Sequence, residues 1–374
     1  CDRRQRQMCI RDRGGTGAMG THLVSILAEA GMKVDVTSRQ ELADRTNIHY
    51  IKGNVHNISF VKSLLAQNYY NVIIDFMIYT TVEFNDRYWL YLNNTDQYFY
   101  LSTSRVYADA ALITEESPRL LDVTTDKKYL ATDEYALCKA RQEDLLRNSC
   151  KSNFTIIRPY KTYSEIRLQL GALDKETFIQ RILQGHSAVI PMDVMSHTTT
   201  LTYARDVAIC IAKLIGNKKA MGDTFNIVTS KNIKWMDVLD IYLNVLENKM
   251  GYRPNVVEID RCPQLDVNIA QYQILYDLHY NRQFDNTKIK EAVGGYEFIH
   301  PKEGLAKCIT SFLDNPKFNY LDCRAEGIHD HYSHEFMSLS QFATNSQRLH
   351  YFMYRFCPVS VGKIALFCKQ MKHK

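Results

Sequence analysis

The sequence predicts an α/β fold: a doubly wound parallel sheet with a smaller substrate-type domain interleaved in its C-terminal half. Short apolar strands alternate with amphipathic helical stretches as far as Val228, the order expected of a parallel sheet covered on both faces. A glycine-rich turn, Gly14-Gly15-Thr16-Gly17-Ala18-Met19-Gly20, opens the first helix. From about Ser164 the periodicity becomes irregular, which marks inserted segments of a second domain. Composition narrows the class further. With 374 residues, 45% hydrophobic and 23% charged, the chain is globular rather than disordered. The net charge of +5 is too small to imply a nucleic-acid partner by itself. No run of 18 apolar residues suggests a membrane span, and no apolar stretch marks a signal peptide near the start. Ten cysteines without a CxxC pair read as reduced thiols of a cytoplasmic protein, not as a disulfide scaffold or a zinc site.

The elements follow in order. Residues 1–13, CDRRQRQMCIRDR, stand where a buried first strand belongs, yet carry five arginines and two aspartates. They read as a non-native stretch, an expression scar or translated adapter sequence; Met8-Cys9-Ile10 alone could imitate a strand. Leu23, Ile26, Leu27 and Ala30 recur at helical spacing after the glycines, and Gly31 suits the helix end. Residues 32–37 alternate as a strand, 49–53 form a third, 58–67 a helix, and NVIIDF (71–76) a buried strand. YFYLS (98–102) is the next strand, 133–148 a helix, FTIIR (154–158) another strand and 225–228 a late one. The stretch 203–215 reads as a sheet-packing helix. The resulting expectation is a dinucleotide-type domain over 14–165 with returning segments at 196–232. A substrate domain covers 166–195 and 233–325, and an extension covers 326–374.

Gly14, Gly17 and Gly20 make the spacing G-x-x-G-x-x-G. The early glycines allow a tight turn and close approach of a pyrophosphate to backbone N–H groups; Gly20 lets the helix pack on the strand. Thr16, Ala18 and Met19 complete the candidate loop. At the end of the second strand an acid would bond the 2′-hydroxyl of NAD. This chain has Ser38-Arg39 instead, a hydroxyl and a guanidinium suited to a 2′-phosphate, so NADP is expected ahead of NAD.

Tyr135-Ala136-Leu137-Cys138-Lys139 places a phenol and an ammonium at i and i+4 on one helix face. A neighbouring cation favours phenolate, which can then move protons near neutral pH. Upstream, the strand YFYLS runs into Thr103-Ser104-Arg105-Val106-Tyr107. Hydroxyls at the C-terminal end of a parallel strand lie where doubly wound sheets bind ligands. Thr103 is the preferred hydroxyl, with Ser104 open as the alternative.

These residues resemble the extended short-chain dehydrogenases/reductases, the NAD-dependent epimerase/dehydratase family that modifies nucleotide sugars. The resemblance rests on GGTGAMG (14–20), LSTSRVYA (101–108), YALCK (135–139), IIRPY (156–160) and TYARDVA (202–208), and spans roughly 14–235. It implies a Rossmann-type domain and a Thr103, Tyr135, Lys139 triad, with Pro159 and Tyr160 beside the nicotinamide. Asn54 and Val55 stand where the family usually has a Gly-Asp sequence near adenine. The fourth strand ends Asp75-Phe76-Met77-Ile78 rather than His-x-Ala. Ser104-Arg105 follow Thr103 where sugar 4,6-dehydratases carry an Asp-Glu pair, so dehydratase chemistry is disfavoured. The implied function is an epimerase-type oxidoreductase on a nucleotide-linked sugar, with an NADPH-dependent 4-keto-sugar reductase as the alternative. A third reading, a dinucleotide- or RNA-binding protein without turnover, is opposed by the presence of both Tyr135 and Lys139.

Elsewhere, His329, His331 and His334 cluster with Asp330 and Glu335, but their spacing fits no standard ligand motif. No metal is expected, and the stretch reads as a solvated linker. The tail beyond Tyr351 is apolar and ends Lys-Gln-Met-Lys-His-Lys. It suits packing on the body of the protein or on a second copy in a homodimer better than a surface anchor.

Overall fold

The computed structural model describes the backbone of residues 7–10, and residues 17–262, 265 and 271–358. They fall into two compact units. The first comprises residues up to Ser164, Thr200–Asn232 and Arg282–Gly304; the second comprises Glu165–Thr199, Ile233–Asn281 and residues from Leu305 onward.

The first unit is built on a seven-stranded parallel sheet. Its strands are β1 (Gln7–Ile10), β2 (Lys33–Ser38), β3 (Ile48–Lys52), β4 (Tyr70–Asp75), β5 (Thr95–Leu101), β6 (Phe154–Arg158) and β7 (Asp223–Asn226), in the order β7-β6-β5-β4-β1-β2-β3. Residues 7–10, within the stretch read as foreign to the fold, form an interior strand between β4 and β2, with Met8 paired to Val34 on one side and Val72 on the other. A ladder is made by backbone N–H and C=O groups, so even an unpromising sequence can complete it when both neighbours are fixed.

Alternation along the strands divides the core between the two faces. On one face Leu23, Val24 and Leu27 of α1 (Ala18–Glu29) join Phe99, Ile157 and α4 (Ala204–Leu214), which contributes Val207, Ile211 and Leu214. On the other, Val61, Leu64 and Leu65 of α2 (Ile58–Gln67) and Leu146 of α3 (Tyr135–Arg147) pack on Ile73, Tyr98, Tyr100 and Ile156. Each such large apolar side chain contributes about 1.5–3 kcal/mol on burial. Asn57 starts α2 by accepting the Ser59 N–H at 3.0 Å. Asp206, in the TYARDVA stretch, is buried at the start of α4 and accepts from Tyr296 Oη at 2.8 Å and the Ile299 N–H at 2.9 Å.

Sequence reading gave 282–304 to the substrate domain, but this segment lies in the first unit. Arg282 donates to the carbonyls of Tyr107 (3.1 Å) and Ala108 (3.0 Å); the Asp285 N–H donates to the Ile113 carbonyl and the Ile113 N–H to the Gln283 carbonyl, each at 2.9 Å. No periodicity in 282–304 signals that return.

The second unit holds a parallel pair, Ala188–Pro191 with Val256–Ile259, and α5 (Trp235–Met250), closed by Gly251 at φ 78°. The expected linker around His329 is instead α6 (Cys323–Ser333), buried against α7 (Asn345–Phe356). The helices approach so closely at Gly327 that a Cβ there would lie 2.6 Å from the Tyr351 carbonyl oxygen. Arg181, fully buried, is paired with Glu326, with Asp330 at 2.8 Å and with Glu335 at 3.3 Å. These ion pairs let polar residues of α6 sit inside, so the extension expected over 326–374 is, through Pro358, part of the second unit.

Candidate active site

The C-terminal end of β5 and the start of α3 bring the catalytic candidates together. After Leu101 the chain turns through Thr103 into a short helical turn, Ser104–Val106. The Thr103 hydroxyl caps that turn by accepting the Arg105 N–H at 3.2 Å. Ser104, the alternative hydroxyl, is fully buried and donates to the Arg158 carbonyl at 2.9 Å, while its N–H donates to the Pro159 carbonyl at 2.9 Å.

Glu134 caps α3 by accepting the Ala136 N–H at 2.8 Å. Tyr135 is therefore the first helical residue, and Lys139 lies one turn further on the same face. The buried Lys139 ammonium donates to the carbonyls of Leu101 (2.7 Å) and Met77 (3.2 Å) and lies 4.7 Å from the centre of the Tyr100 ring. Burial pushes it down to about 8, because few groups around it replace lost water. The same ammonium thus ties α3 to the ends of β4 and β5. The Arg105 guanidinium lies 5.4 Å from the centre of the Tyr135 ring and pairs with Glu134 at 2.7 Å.

Sequence reading missed the buried network beneath this site. Glu143 accepts from the Ser102 hydroxyl at 2.5 Å and from Arg158 at 2.8 and 2.5 Å. Arg158 also donates to Tyr107 Oη (2.5 Å), which donates to Asn226 (2.8 Å). Burial alone would push the Glu143 carboxyl up, but Arg158 beside it holds it below the ordinary carboxylate value. A signal was present: Tyr135, Lys139 and Glu143 recur every four residues, so Glu143 shares the helix face of the other two.

Of the dinucleotide candidates, Gly14 and Thr16 lie outside the described residues. Gly17 is the N-cap of α1, Ala18 and Met19 open its first turn, Gly20 is buried, and that turn holds no acid. Ser38 ends β2 with its side chain buried and its hydroxyl accepting the Gln40 N–H at 3.1 Å; Arg39 is exposed. The Gly53 N–H donates to the Ser38 carbonyl at 2.8 Å, bringing the β3 end beside the β2 end. Asn54 is exposed there, whereas Val55 turns into the core. Pro159 is buried, and Tyr160 packs within 5.2 Å of the Phe284 ring centre. A glycine-capped helix start without acids and a hydroxyl–guanidinium pair at the β2 end form a donor set that fits a dinucleotide phosphate. In the second unit, His186, Asp330 and Glu335 bring ligand-type atoms within 4.8 Å of one another, but the Arg181 guanidinium is already bonded to both carboxylates.

A doubly wound sheet with a glycine-capped first helix, and a Tyr-x-x-x-Lys helix against the end of β5, is the architecture of a dinucleotide-binding fold. Comparison with known proteins agrees. Residues 13–228 match the model of the NAD dependent epimerase/dehydratase family, and the chain belongs to that family. A curated relative, the chloroplast stem-loop binding protein of 41 kDa b of Arabidopsis thaliana, is 25% identical over 235 residues, 59% of this chain. The chain spans 58% of that relative's length. Among solved structures, the Bordetella bronchiseptica enzyme WbmH in complex with NAD+ is similar at TM-score 0.64 and 16% identity, over 83% of this chain and 100% of that one. The UDP-glucose 4-epimerase of Bifidobacterium longum, in complex with NAD+ and UDP, is similar at TM-score 0.58 and 16% identity, over 83% and 99%. At such identities the likeness establishes the fold. Among the described residues no helix is long and apolar enough to cross a membrane.

Proposed function

We propose that this chain is an epimerase-type oxidoreductase that uses a nicotinamide dinucleotide, NADP ahead of NAD, on a nucleotide-linked sugar. The observation that carries the reading is the fixation of Lys139 by the Leu101 carbonyl, two residues before Thr103 and on the helix face of Tyr135. Gly17 to Gly20 and the α1 N-terminus would hold the pyrophosphate, Ser38 and Arg39 the 2′-phosphate, Asn54 and Val55 the adenine side, and Pro159 and Tyr160 the nicotinamide side. The dinucleotide, when bound, supplies the hydride acceptor and donor. Tyr135 takes the proton of a sugar hydroxyl at its phenol oxygen and returns it at the end of the cycle. Thr103 hydrogen-bonds the same sugar oxygen, and its rival Ser104 is already committed to the Arg158 carbonyl. Lys139 holds a positive charge near the phenol and the ribose. Ser104 and Arg105 supply no carboxylate for water elimination, which disfavours a dehydratase.

Tyr135→Phe tests the reading. Turnover of UDP-, GDP- or dTDP-sugars should be abolished while dinucleotide affinity stays within several-fold; activity near the parent's would refute it. Net NADPH oxidation at 340 nm matched to product would replace the epimerase by the 4-keto-sugar reductase. A second reading, RNA binding without turnover, is favoured by the similarity to the stem-loop binding protein. In that case a stem-loop RNA would be bound equally by the parent and by Tyr135→Phe, and no sugar nucleotide would be converted.

A further inference from the structure

We propose that Arg105 is a positioning residue for Tyr135: its guanidinium, lying over the phenol ring, supplies the permanent positive charge that favours the phenolate. The inference rests on the reading of Tyr135 as the proton-transfer group.

The geometry is specific. Arg105 sits on the same short turn as Thr103, and its N–H is the donor that the Thr103 hydroxyl accepts. Its guanidinium carbon is 5.4 Å from the Tyr135 ring centre, and its side chain is only 13% exposed, so solvent screens the interaction weakly. Glu134 pairs with it at 2.7 Å and is itself occupied as the α3 cap and as the acceptor of Tyr129 Oη at 3.1 Å. Among the described residues, the titratable groups near Tyr135 include Arg105 from the turn, Glu134, Cys138 and Lys139 beside it in the chain and on its own helix, and Tyr100 from β5.

Arg105 and Lys139 both bring positive charge here. Lys139 is enclosed by two carbonyls, and burial pulls its titration down to about 8, so it is charged at neutral pH and discharges in mild alkali. A guanidinium stays charged at every relevant pH. Arg105 therefore holds the field at the phenol as Lys139 discharges. Glu134 opposes it, which gives the arrangement a test with two signs.

The tyrosinate absorbance at 295 nm is titrated in the parent and in Tyr135→Phe, and the difference isolates one transition among 24 tyrosines. The measurement is repeated in pairs with Arg105→Met, Arg105→Lys and Glu134→Gln. Removing a cation this close moves the transition up by about one pH unit. Arg105→Lys restores most of that shift, and Glu134→Gln, which keeps an oxygen for the cap, moves it down. A merely structural brace would leave the transition in place, or move it the same way in Arg105→Met and Glu134→Gln. Either result overturns the proposal. If Arg105→Met does not fold, Arg105→Lys and Glu134→Gln still carry the comparison of signs. The titration needs no substrate, so it stands apart from the proposed function. Shifts of opposite sign without turnover on any sugar nucleotide would retire that function and keep the role of Arg105. Turnover with an unmoved transition would do the reverse. Where turnover is found, the acid limb of kcat/KM should move with the transition.

Discussion

Replacing Lys139 with methionine should stabilise the protein in the absence of dinucleotide near pH 7, and the gain should disappear in alkali. The ammonium is buried, and its titration falls from the ordinary 10.5 to about 8. That difference corresponds to a penalty of about 3 kcal/mol for keeping the charge inside at neutral pH. Methionine removes the penalty but deprives the Met77 and Leu101 carbonyls of their donor, at about 1 kcal/mol each. The net expectation at pH 7 is a gain of about 1 kcal/mol. The pH dependence is the sharper signature. Between about 8 and 10.5 the unfolded lysine still binds a proton that the folded one has lost, so the parent becomes more stable as pH rises through this window. The advantage of Lys139→Met should shrink by about 3 kcal/mol over that range and change sign. Groups remote from Lys139 titrate equally in both proteins and cancel in the difference. Urea unfolding of the two proteins side by side from pH 7 to 10.5 measures it. A difference that does not depend on pH would show that Lys139 is not held in the folded state as a strained cation.

Three further outcomes can be checked. Arg181→Met should destabilise the second unit by about 3–5 kcal/mol in denaturant unfolding, since it strands the carboxylates of Glu326 and Asp330 in the interior. Gly327→Ala should lower stability by about 1–3 kcal/mol despite alanine's better helix propensity, because its Cβ would lie 2.6 Å from the Tyr351 carbonyl oxygen and 3.0 Å from Tyr354 Cβ. NADPH should bind at least about tenfold more tightly than NADH by calorimetry, and Ser38→Asp with Arg39→Asn should reverse the order; equal affinities in the parent would reject the NADP reading.

The sheet was legible wherever burial on both faces forced continuous apolar runs. The stretch read as strand at 154–158 is β6 to the residue, and the helix read at 58–67 is α2 to the residue. Boundaries moved where the chain is apolar beyond the ladder: Phe76 was read as strand, but β4 stops at Asp75, whose carboxylate accepts from Tyr98 Oη at 2.9 Å. The second unit was hidden for the opposite reason. Glu326, His329 and Asp330 look like a solvated surface until Arg181, 145 to 149 residues earlier, is placed among them. A buried ion cluster erases the hydrophobic period on which sequence reading depends. At the site, Tyr135 and Lys139 announced themselves by spacing, whereas Arg158 and Glu143 meet only once β6 and α3 are packed.

The order of the sheet also has a consequence during synthesis. β6 pairs on one side with β5, but its other partner, β7, is encoded about sixty residues later, beyond a segment that belongs to the second unit. At about 5–20 residues per second, β6 leaves the ribosome several seconds before β7 can reach it. For that interval its outer row of N–H and C=O groups, flanked by Phe154, Ile156 and Ile157, is an open edge available to any other extended chain. Nascent chains halted between Arg158 and Asp223 therefore carry an unpaired β6 edge that can recruit another extended chain.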